Sequence, residues 1–530
     1  MNNELIKFFF EKGLLVDKEV LDLFQDVTDS ESVKFIMERI KNTTNQNVIT
    51  RTTLNENKEK VNRVFLELPQ ENQKKLETFK INLGLSIEIS KEVSIQNKGF
   101  NNSNKDNVEE ISGGIVKVTE RPIEIVQKVE VKNFVNYFKN RYISMRNILQ
   151  EHSELTGLVS INKISESAQG ISLIGMVRSK SVTKNKNIML EVEDLTGKIK
   201  VLINQNKPDL HKLAEEITLD AVLGFKGSGN KEIFFVNELV FPDAMLPERK
   251  NSNLEEYVLF IGDLHYGSKR FLKEGFEKFI TYLEGKVPGT EKEVEKIRYL
   301  FLTGDVITGV GNYPNQEQDL ETVDLEEQFL GLTEYIKRIP QRVKVIISPG
   351  NHDCVRLMEP QPLLDEKYSW SLYDLKNVIM TENPGRVNIG SNGGFVGFDI
   401  LTYHGFSYPF YAREIIPLVV KNAMNSPEDI MGFLLKNRHL APTHKSTQYF
   451  PLEKDPLTIG KVPDIMVSSH THKCATSYYN NILVISTACW EAMTPYQEKF
   501  GNTPDHCKVP MLNLKTRAIK ILDFEEGEKE

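Results

Sequence analysis

Five apolar runs in the second half of the chain end in side chains that can hold a metal ion. YVLFIGD leads to Asp263 and His265, RYLFLTGD ends on Asp305, and VKVIISPGNHD ends on Asn351, His352 and Asp353. FDILTYHG delivers His404, and PDIMVSSHTH delivers His470 and His472. Eight of the ten histidines lie after residue 260, and five of those eight are in these clusters. Imidazole, carboxylate and amide oxygen without cysteine suit Mn²⁺, Fe²⁺ or Zn²⁺ in a reactive site better than a thiolate-rich structural zinc. A carboxylate such as Asp305 can bridge two cations through its two oxygens. Two metals about 3.5–4 Å apart would hold a phosphate, activate water near neutral pH and stabilise a leaving oxygen. A further histidine outside the ligand set could protonate that oxygen. One histidine at a strand end is ordinarily a satisfied surface or core residue. Five clusters at successive strand ends are different, because packing alone would have put apolar residues there.

The elements that must position these residues read as follows. From about 250 onward, apolar β-rich runs alternate with helical patterns, which predicts an α/β layered domain with a largely buried sheet. Polar residues at the C-terminal ends of such strands are where open α/β sheets place their sites. Upstream, ISLIGMVRSKSV, NIMLEVEDLTGKIKVLI, AVLGFKGSG and EIFFVNELVF are short strand-like runs, with a hairpin expected at Asp194–Gly197. They predict a small barrel of the OB type, a fold that often binds single strands with basic grooves and stacking aromatics. Phe234 and Phe235 are adjacent, so in a strand one faces the core and the other solvent or a ligand. Residues 1–90 read as helical, with apolar positions three and four apart in LIKFFFEKGLL, EVLDLFQDV and SVKFIMERIKN. Residues from about 92 to 125 are rich in Asn, Ser, Gly and charge and read as a flexible linker, and VNYFKNRYISMRNILQ reads as a helix leading into the next domain. The expected boundaries are 1–90 (helical), 91–140 (linker), 141–248 (OB-like) and 249–525 (α/β sandwich).

Length and composition agree with a multidomain α+β protein. The chain has 530 residues, which gives roughly three or four domains. Hydrophobic residues make up 40% and charged residues 26%, which excludes fibrous and wholly disordered classes. The formal charge is −8, with all of the acidic excess after residue 250, so no strongly basic domain announces a nucleic-acid footprint. A locally basic groove remains compatible with that balance. No run approaches the roughly 18 apolar residues of a membrane helix, and the N-terminus lacks the cleavage pattern of a secretory signal. Cys354, Cys474, Cys489 and Cys507 form no C-x-x-C pair or disulfide framework. A cytoplasmic protein without a membrane partner is expected. Cys354 is expected as a small buried residue, and His439 and His444, outside the ligand motifs, at the surface.

GDLH at 262–265, GD at 304–305, GNHD at 350–353, HG at 404–405 and SHTH at 469–472 resemble the calcineurin-like metallophosphoesterase superfamily. The usual last motif is G-H-x-H, and Ser469 stands in place of its glycine. The resemblance implies a two-layer α/β sandwich and a binuclear centre. Carried over by position, Asp263, His265, Asp305 and His472 would hold one metal, and Asp305, Asn351, His404 and His470 the other. His352 would be the catalytic proton donor, with Asp353 orienting it from behind.

GVGNYPNQ at 309–316, RLMEPQP at 356–362 and KNRHLAP at 436–442 are similar to the small subunits of archaeal family-D DNA polymerases, as is the domain order. That resemblance covers about 140 to 525 and implies a 3′→5′ proofreading exonuclease with two divalent cations. Manganese is the expected pair, with magnesium, iron and zinc as alternatives. It also implies two partners: DNA, as single-stranded 3′ ends or primer-template, and a separate large subunit that carries polymerisation. Two other readings stay open. A stand-alone phosphatase or phosphodiesterase needs no barrel fused ahead of its site. A non-catalytic scaffold subunit needs no full ligand set.

Overall fold

The computed structural model describes residues 2–17, 20, 33–34, 37–41, 48–50, 114–120 and 128–525. The chain divides into two compact units, Met1–Val108 and Glu109–Glu530. In the first, helix Asn2–Glu11 buries Leu5 and Phe9, one turn apart on one face. Val33, Met37 and Ile40 repeat that spacing and are also buried. Two short strands, β1 (Leu15–Val16) and β2 (Val48–Ile49), pair in parallel, a feature the helical reading of 1–90 does not contain. All of the EVLDLFQDV stretch except Val20, and residues 51–113, lie outside the described residues, and with them most of the expected helical domain and the first part of the expected linker.

The second unit opens with β3 (Val116–Glu120) and helix Val131–Leu149. The helix takes in VNYFKNRYISMRNIL of the segment that reads as a helix leading into the next domain, whereas β3 falls where the sequence reads as linker. The physical reason is the pattern in IVKVTE, where half-buried Val116 and Val118 alternate with exposed Lys117 and Thr119. Short, and flanked by polar sequence, this strand pattern is easily lost. The helix buries Tyr137, Arg141, Tyr142, Met145 and Leu149 along one stripe. At its start the Asn133 side chain accepts the backbone N–H of Glu130 at 2.8 Å.

Strands β4 (Ala168–Val182), β5 (Ile188–Glu193), β6 (Lys198–Ile203), β7 (Val222–Gly229) and β8 (Ile233–Val240) close into a barrel in the order β4-β5-β6-β8-β7. Only β6 and β8 pair in parallel; the other pairs are antiparallel. Alternate residues fill the interior, among them Leu190, Val192, Ile199, Val201, Leu223, Phe225, Phe234 and Val236. A register shift between Val177 and Ser179 bends the 15-residue β4 so that one strand serves two neighbours. At the β5–β6 turn, Asp194 accepts the N–H groups of Thr196 at 2.7 Å and Gly197 at 2.9 Å, the hairpin expected there. Phe234 is fully buried while Phe235 is 46% exposed.

Residues beyond 250 form two six-stranded sheets. The first runs β12-β11-β10-β9-β18-β19, and the second β16-β17-β15-β14-β13-β3. The strands are β9 (Tyr257–Ile261), β10 (Ile297–Thr303), β11 (Lys344–Ser348), β12 (Val378–Met380), β13 (Gly385–Ile389), β14 (Phe398–Tyr403), β15 (Ile465–Ser468), β16 (Ala475–Tyr479), β17 (Ile482–Ser486), β18 (Lys508–Asn513) and β19 (Ile519–Asp523). β9 to β12 are parallel, as are β14, β15 and β17. β3 completes the second sheet by pairing antiparallel with β13.

The two sheets pack against each other through Val258, Phe260, Phe301, Ile400, Val467 and Ile485. The intervening residues Leu259, Ile261, Leu300 and Leu302 face outward into helices such as Lys273–Leu283 and Leu325–Ile336. On the other side, Leu401, Tyr403, Met466 and Val484 pack on helices within 408–437. Both faces of the central strands are therefore covered, which is why these segments read as unbroken apolar runs. The sandwich has four layers, helix–sheet–sheet–helix, where two were expected. Each fully buried large side chain contributes about 1.5–3 kcal/mol relative to exposure. Among the described residues, no helix is long and apolar enough to cross a membrane.

Candidate metal centre

The C-terminal ends of β9, β10 and β11 in one sheet and of β14 and β15 in the other bring their loops to one edge of the sandwich. The turns there are tight. Asp263, His265, Asp305, His470 and His472 all have left-handed backbones, with φ between 47° and 68°. For non-glycine residues each such conformation costs on the order of 1 kcal/mol and persists where surrounding structure enforces it. The glycines before Asp263, Asp305 and Asn351 are required by close approach. A Cβ on Gly304 would strike Nδ1 of His404, and one on Gly350 would strike Oδ1 of Asp305. A Cβ on Gly262 would lie 2.8 Å from Cβ of Ser469.

The resulting cluster contains two groups whose potential donor atoms lie within 4.8 Å of one another, Asp263–His265–His472 and Asp305–His404–His470. Asp305 Oδ2 lies 3.2 Å from His404 Nε2 and 3.9 Å from His265 Nε2, so one oxygen faces both groups. His265 and His472 approach through their Nε2 atoms at 3.3 Å. Asn351 Oδ1 is 2.9 Å from His404 Nε2, and His470 Nδ1 is 3.3 Å from the same nitrogen. His352 forms a third group with His265 and Asp305, its ring edge-on to His265 with centroids 4.9 Å apart. Asp263, His265, Asp305, His404 and His472 are buried, whereas Asn351, His352 and His470 are half-buried and line the open side.

The calcineurin-like phosphoesterase family model matches residues 257–474, the span holding every one of these residues. A DNA polymerase II small subunit from Methanothermobacter thermautotrophicus is 31% identical over 398 residues, covering 74% of this chain and 80% of the relative. The Pyrococcus horikoshii protein of the same name is 32% identical over 479 residues, 87% of this chain and 73% of the relative. The chain belongs to the DNA polymerase II small-subunit family. It spans 64% of the length of the Pyrococcus abyssi relative, to which it is 34% identical over 408 residues.

In this member of the small-subunit family the donor set fits divalent cations. Oδ1 of Asp263 and Nδ1 of His265 are buried and find no hydrogen-bond partner among the described residues. Buried acceptors are normally satisfied, and a cation would satisfy the carboxylate oxygen. Burial pushes Asp263 up, against the pull of His404. Burial, followed by the negative neighbour Asp305, raises Asp353 to about 7. Burial would raise Asp305 too, but the His404 and His352 imidazoles outweigh it and hold that carboxyl well below its usual range. Burial opposes protonation of His404, yet Asp305 overcomes it and lifts the imidazole to about 9. Burial and then His404 drive His470 down to about 3. Crowded carboxylates beside imidazoles of opposite tendency are the electrostatic pattern of a cation site.

Second-layer contacts hold these side chains in place, and sequence reasoning missed most of them. His404 Nδ1 lies 3.0 Å from Ser469 Oγ and 3.4 Å from the Thr303 carbonyl, leaving Nε2 free to face the cluster. Ser469, the residue standing in the glycine position, also donates its hydroxyl to the Thr303 carbonyl. The Gln497 amide packs on His472 Nδ1 at 2.8 Å. Asn383 accepts the His404 N–H at 2.8 Å, and its amide nitrogen donates to Gln361 at 2.6 Å. No spacing rule links such residues to ligands, though Gln361 lies inside the RLMEPQP segment.

Three expectations are corrected. The carboxylate of Asp353 accepts the N–H groups of Ile307 at 3.0 Å and Gly350 at 2.7 Å. It thus orders the backbone carrying Asn351 and His352, while Nδ1 of His352 meets the Thr308 carbonyl at 3.0 Å. His439 is not at the surface; it is 2% exposed and lies 2.8 Å from Asp455, drawn in by a buried ionic cluster with Arg141. Cys354 is exposed, because its left-handed backbone turns the side chain out of the loop. His444 is exposed as expected and pairs with Asp220 at 2.7 Å.

Proposed function

We propose that this chain is the phosphodiester-hydrolysing small subunit of a heteromeric replicative DNA polymerase, removing nucleotides from 3′ ends. The observation that carries the reading is the shared Asp305 Oδ2 between two ligand groups, with His352 on the open side. Asp263, His265 and His472 would hold one divalent cation and Asn351, His404 and His470 the other, with Asp305 bridging. Manganese is the expected metal. When bound, the pair supplies charge to hold the phosphate and lowers the pKa of water to near neutrality.

The chain's own residues do the rest. Half-buried Asn351, His352 and His470 leave the terminal phosphodiester an approach from solvent. Water adds to phosphorus, its proton passing to solvent, and the bond to the 3′-oxygen of the penultimate nucleotide breaks. His352 Nε2 gives that oxygen its proton, released as the free 3′-hydroxyl. The buried left-handed turns keep the donor atoms in place before substrate arrives.

The barrel supports the nucleic-acid side of the reading. Its strand order, the parallel β6–β8 pair, and helix Pro208–Glu215 between the third and fourth strands fit an OB-type fold. Exposed Phe235 offers one stacking surface. A large polymerising subunit is the proposed partner, consistent with the name its relatives carry.

The test is single-stranded DNA labelled at its 5′ end, incubated with the purified chain and Mn²⁺ beside a His352→Ala control. A ladder of shortened strands that requires metal and disappears in the variant is expected. If no shortening occurs, even with the large subunit added, the chain is a scaffold and the hydrolytic reading falls.

A further inference from the structure

The loop that follows Asp305 carries the GVGNYPNQ segment and folds over His352. Its geometry is unusually convergent. The Thr308 carbonyl accepts from three side chains, each at 3.0 Å: Asn312 Nδ2, Gln316 Nε2 and His352 Nδ1. Gln316 Oε1 in turn accepts the Asn312 N–H at 2.8 Å. From the neighbouring helix, Gln328 accepts the Gly309 N–H at 3.0 Å and donates to the Thr322 carbonyl at 2.7 Å. Both glutamines are fully buried, and a buried amide with its bonds made is a rigid brace. The Thr308 N–H donates to the Tyr266 carbonyl at 2.9 Å, tying the loop to the turn that carries His265. Gly309, with φ of 69°, lets the chain pass so close that any Cβ there would strike the His352 carbonyl.

We infer that the Thr308–Gln316 loop, braced by Gln316 and Gln328, is the positioning device for His352, and that Asn312 and Gln316 are positioning residues for leaving-group protonation. This rests on the proposed role of His352 as proton donor. His352 Nδ1 is held from two sides, by the Thr308 carbonyl, which accepts, at 3.0 Å and by the Asn312 amide nitrogen, which donates, at 3.2 Å. The other ring nitrogen, Nε2, is then the one available on the side of Asp305 and His265. Asn312 and Gln316 fix the carbonyl that fixes the ring. Without them the imidazole would lose its aim. The bonds of these two amides go to Thr308, Gly309, His352 and each other, and not to a metal-ligand side chain. The loop therefore acts on one step, the delivery of a proton to the departing oxygen.

That separation makes the inference testable on the full-length chain with Mn²⁺, using two substrates that differ in the leaving group. A DNA 3′ end departs as a sugar alkoxide and needs a proton. The 4-nitrophenyl ester of thymidine 5′-phosphate departs as a stabilised phenolate and does not. For Asn312→Ala and Gln316→Met, the expected result is a kcat on DNA reduced about ten-fold or more, with KM within about two-fold. The ratio of DNA to aryl-ester rates should fall by a similar factor, as it does for His352→Ala. Asn312 is exposed, so its variant keeps the test valid if the buried Gln316→Met fails to fold. A second readout needs neither metal nor turnover. With histidines labelled in heavy nitrogen, and His352 assigned by its loss in His352→Ala, the ring-nitrogen shifts of His352 in the metal-free chain should move in Asn312→Ala. Equal slowing of both substrates by Asn312→Ala, with unaltered His352 nitrogen shifts, would overturn the inference. A wild-type chain that hydrolyses neither substrate would instead overturn the phosphoesterase reading beneath it.

Discussion

Two buried clusters in this protein use the same residue types to opposite ends. In one, Arg141 Nε meets Asp455 Oδ2 at 2.6 Å, His439 Nε2 meets the same oxygen at 2.8 Å, and Tyr137 donates to Oδ1 at 2.6 Å. The other is the candidate metal cluster around Asp263, Asp305 and His404. Both place carboxylates and imidazoles out of water. The first holds its own cation in Arg141, and Asp455 is fully engaged. The second has no arginine, and a buried oxygen of Asp263 has no hydrogen-bond partner among the described residues.

The histidines differ in the same sense. The Ala441 N–H donates to His439 Nδ1 at 3.0 Å, so the proton lies on Nε2 and points at Asp455. In His404 the Thr303 carbonyl and the Ser469 hydroxyl face Nδ1, so Nε2 is the nitrogen turned to the cluster. One backbone partner thus decides whether a buried histidine closes a network or opens a ligand site.

The largest expected effect comes from breaking the closed cluster. Arg141→Met leaves Asp455 buried without its cation, and the loss should be about 3–5 kcal/mol, measured by urea unfolding. A loss under about 1 kcal/mol would mean that the cluster's stability does not depend on its arginine.

Acid should attack the same cluster. Burial and then Arg141 hold His439 down at about 4, below an unfolded value near 6.5. The unfolded chain therefore binds more protons between those values, and stability is lost as pH falls through that window, by up to about 3 kcal/mol. His439→Gln should flatten the unfolding free energy between pH 6.5 and 4; an unchanged slope would assign the acid sensitivity elsewhere.

The open cluster should respond to metal instead. Mn²⁺ should raise the Tm of the wild type by mass action, and a chelator should reverse it. Asp305→Asn should abolish that rise and cut phosphoesterase activity by more than about 100-fold, exceeding the usual cost of second-layer changes. If the variant still gains stability from Mn²⁺ as the wild type does, Asp305 is not the bridge. The smallest effect is sharper in meaning. Ser469→Gly restores the usual motif but removes the hydroxyl beside His404 Nδ1, and Mn²⁺ affinity should fall about ten-fold or less. No change in titrated affinity would make the serine a neutral replacement.

The comparison also explains what the sequence made legible. The metal cluster was readable because its residues sit at strand ends in fixed spacing, preceded by glycines that the close approach of Asp305 and His404 demands. The barrel was readable from alternation, as in Ile188–Glu193 and Lys198–Ile203. The Arg141–Asp455–His439 cluster was not, because its members come from segments 314 residues apart and none carries a local signature. Asp353 shows a further gap: the residue type was visible, but whether its oxygens would meet a ring or two backbone N–H groups depends on the turn, which no spacing encodes. The layer count failed for a related reason, since an apolar run says that both faces are covered and not by what.

One feature of the second sheet bears on how the chain is made. β3 closes the sheet edge by pairing with β13, and the Thr119 to Arg386 bond spans 267 residues. During synthesis the valines of Val116–Glu120 emerge early and must wait for most of the sandwich before their partner exists. Such high contact order slows folding. A protein trimmed to begin at the barrel would leave Gly385–Ile389 as a bare edge, able to recruit a second copy strand to strand. The short segment ahead of the barrel thus doubles as a built-in guard against aggregation.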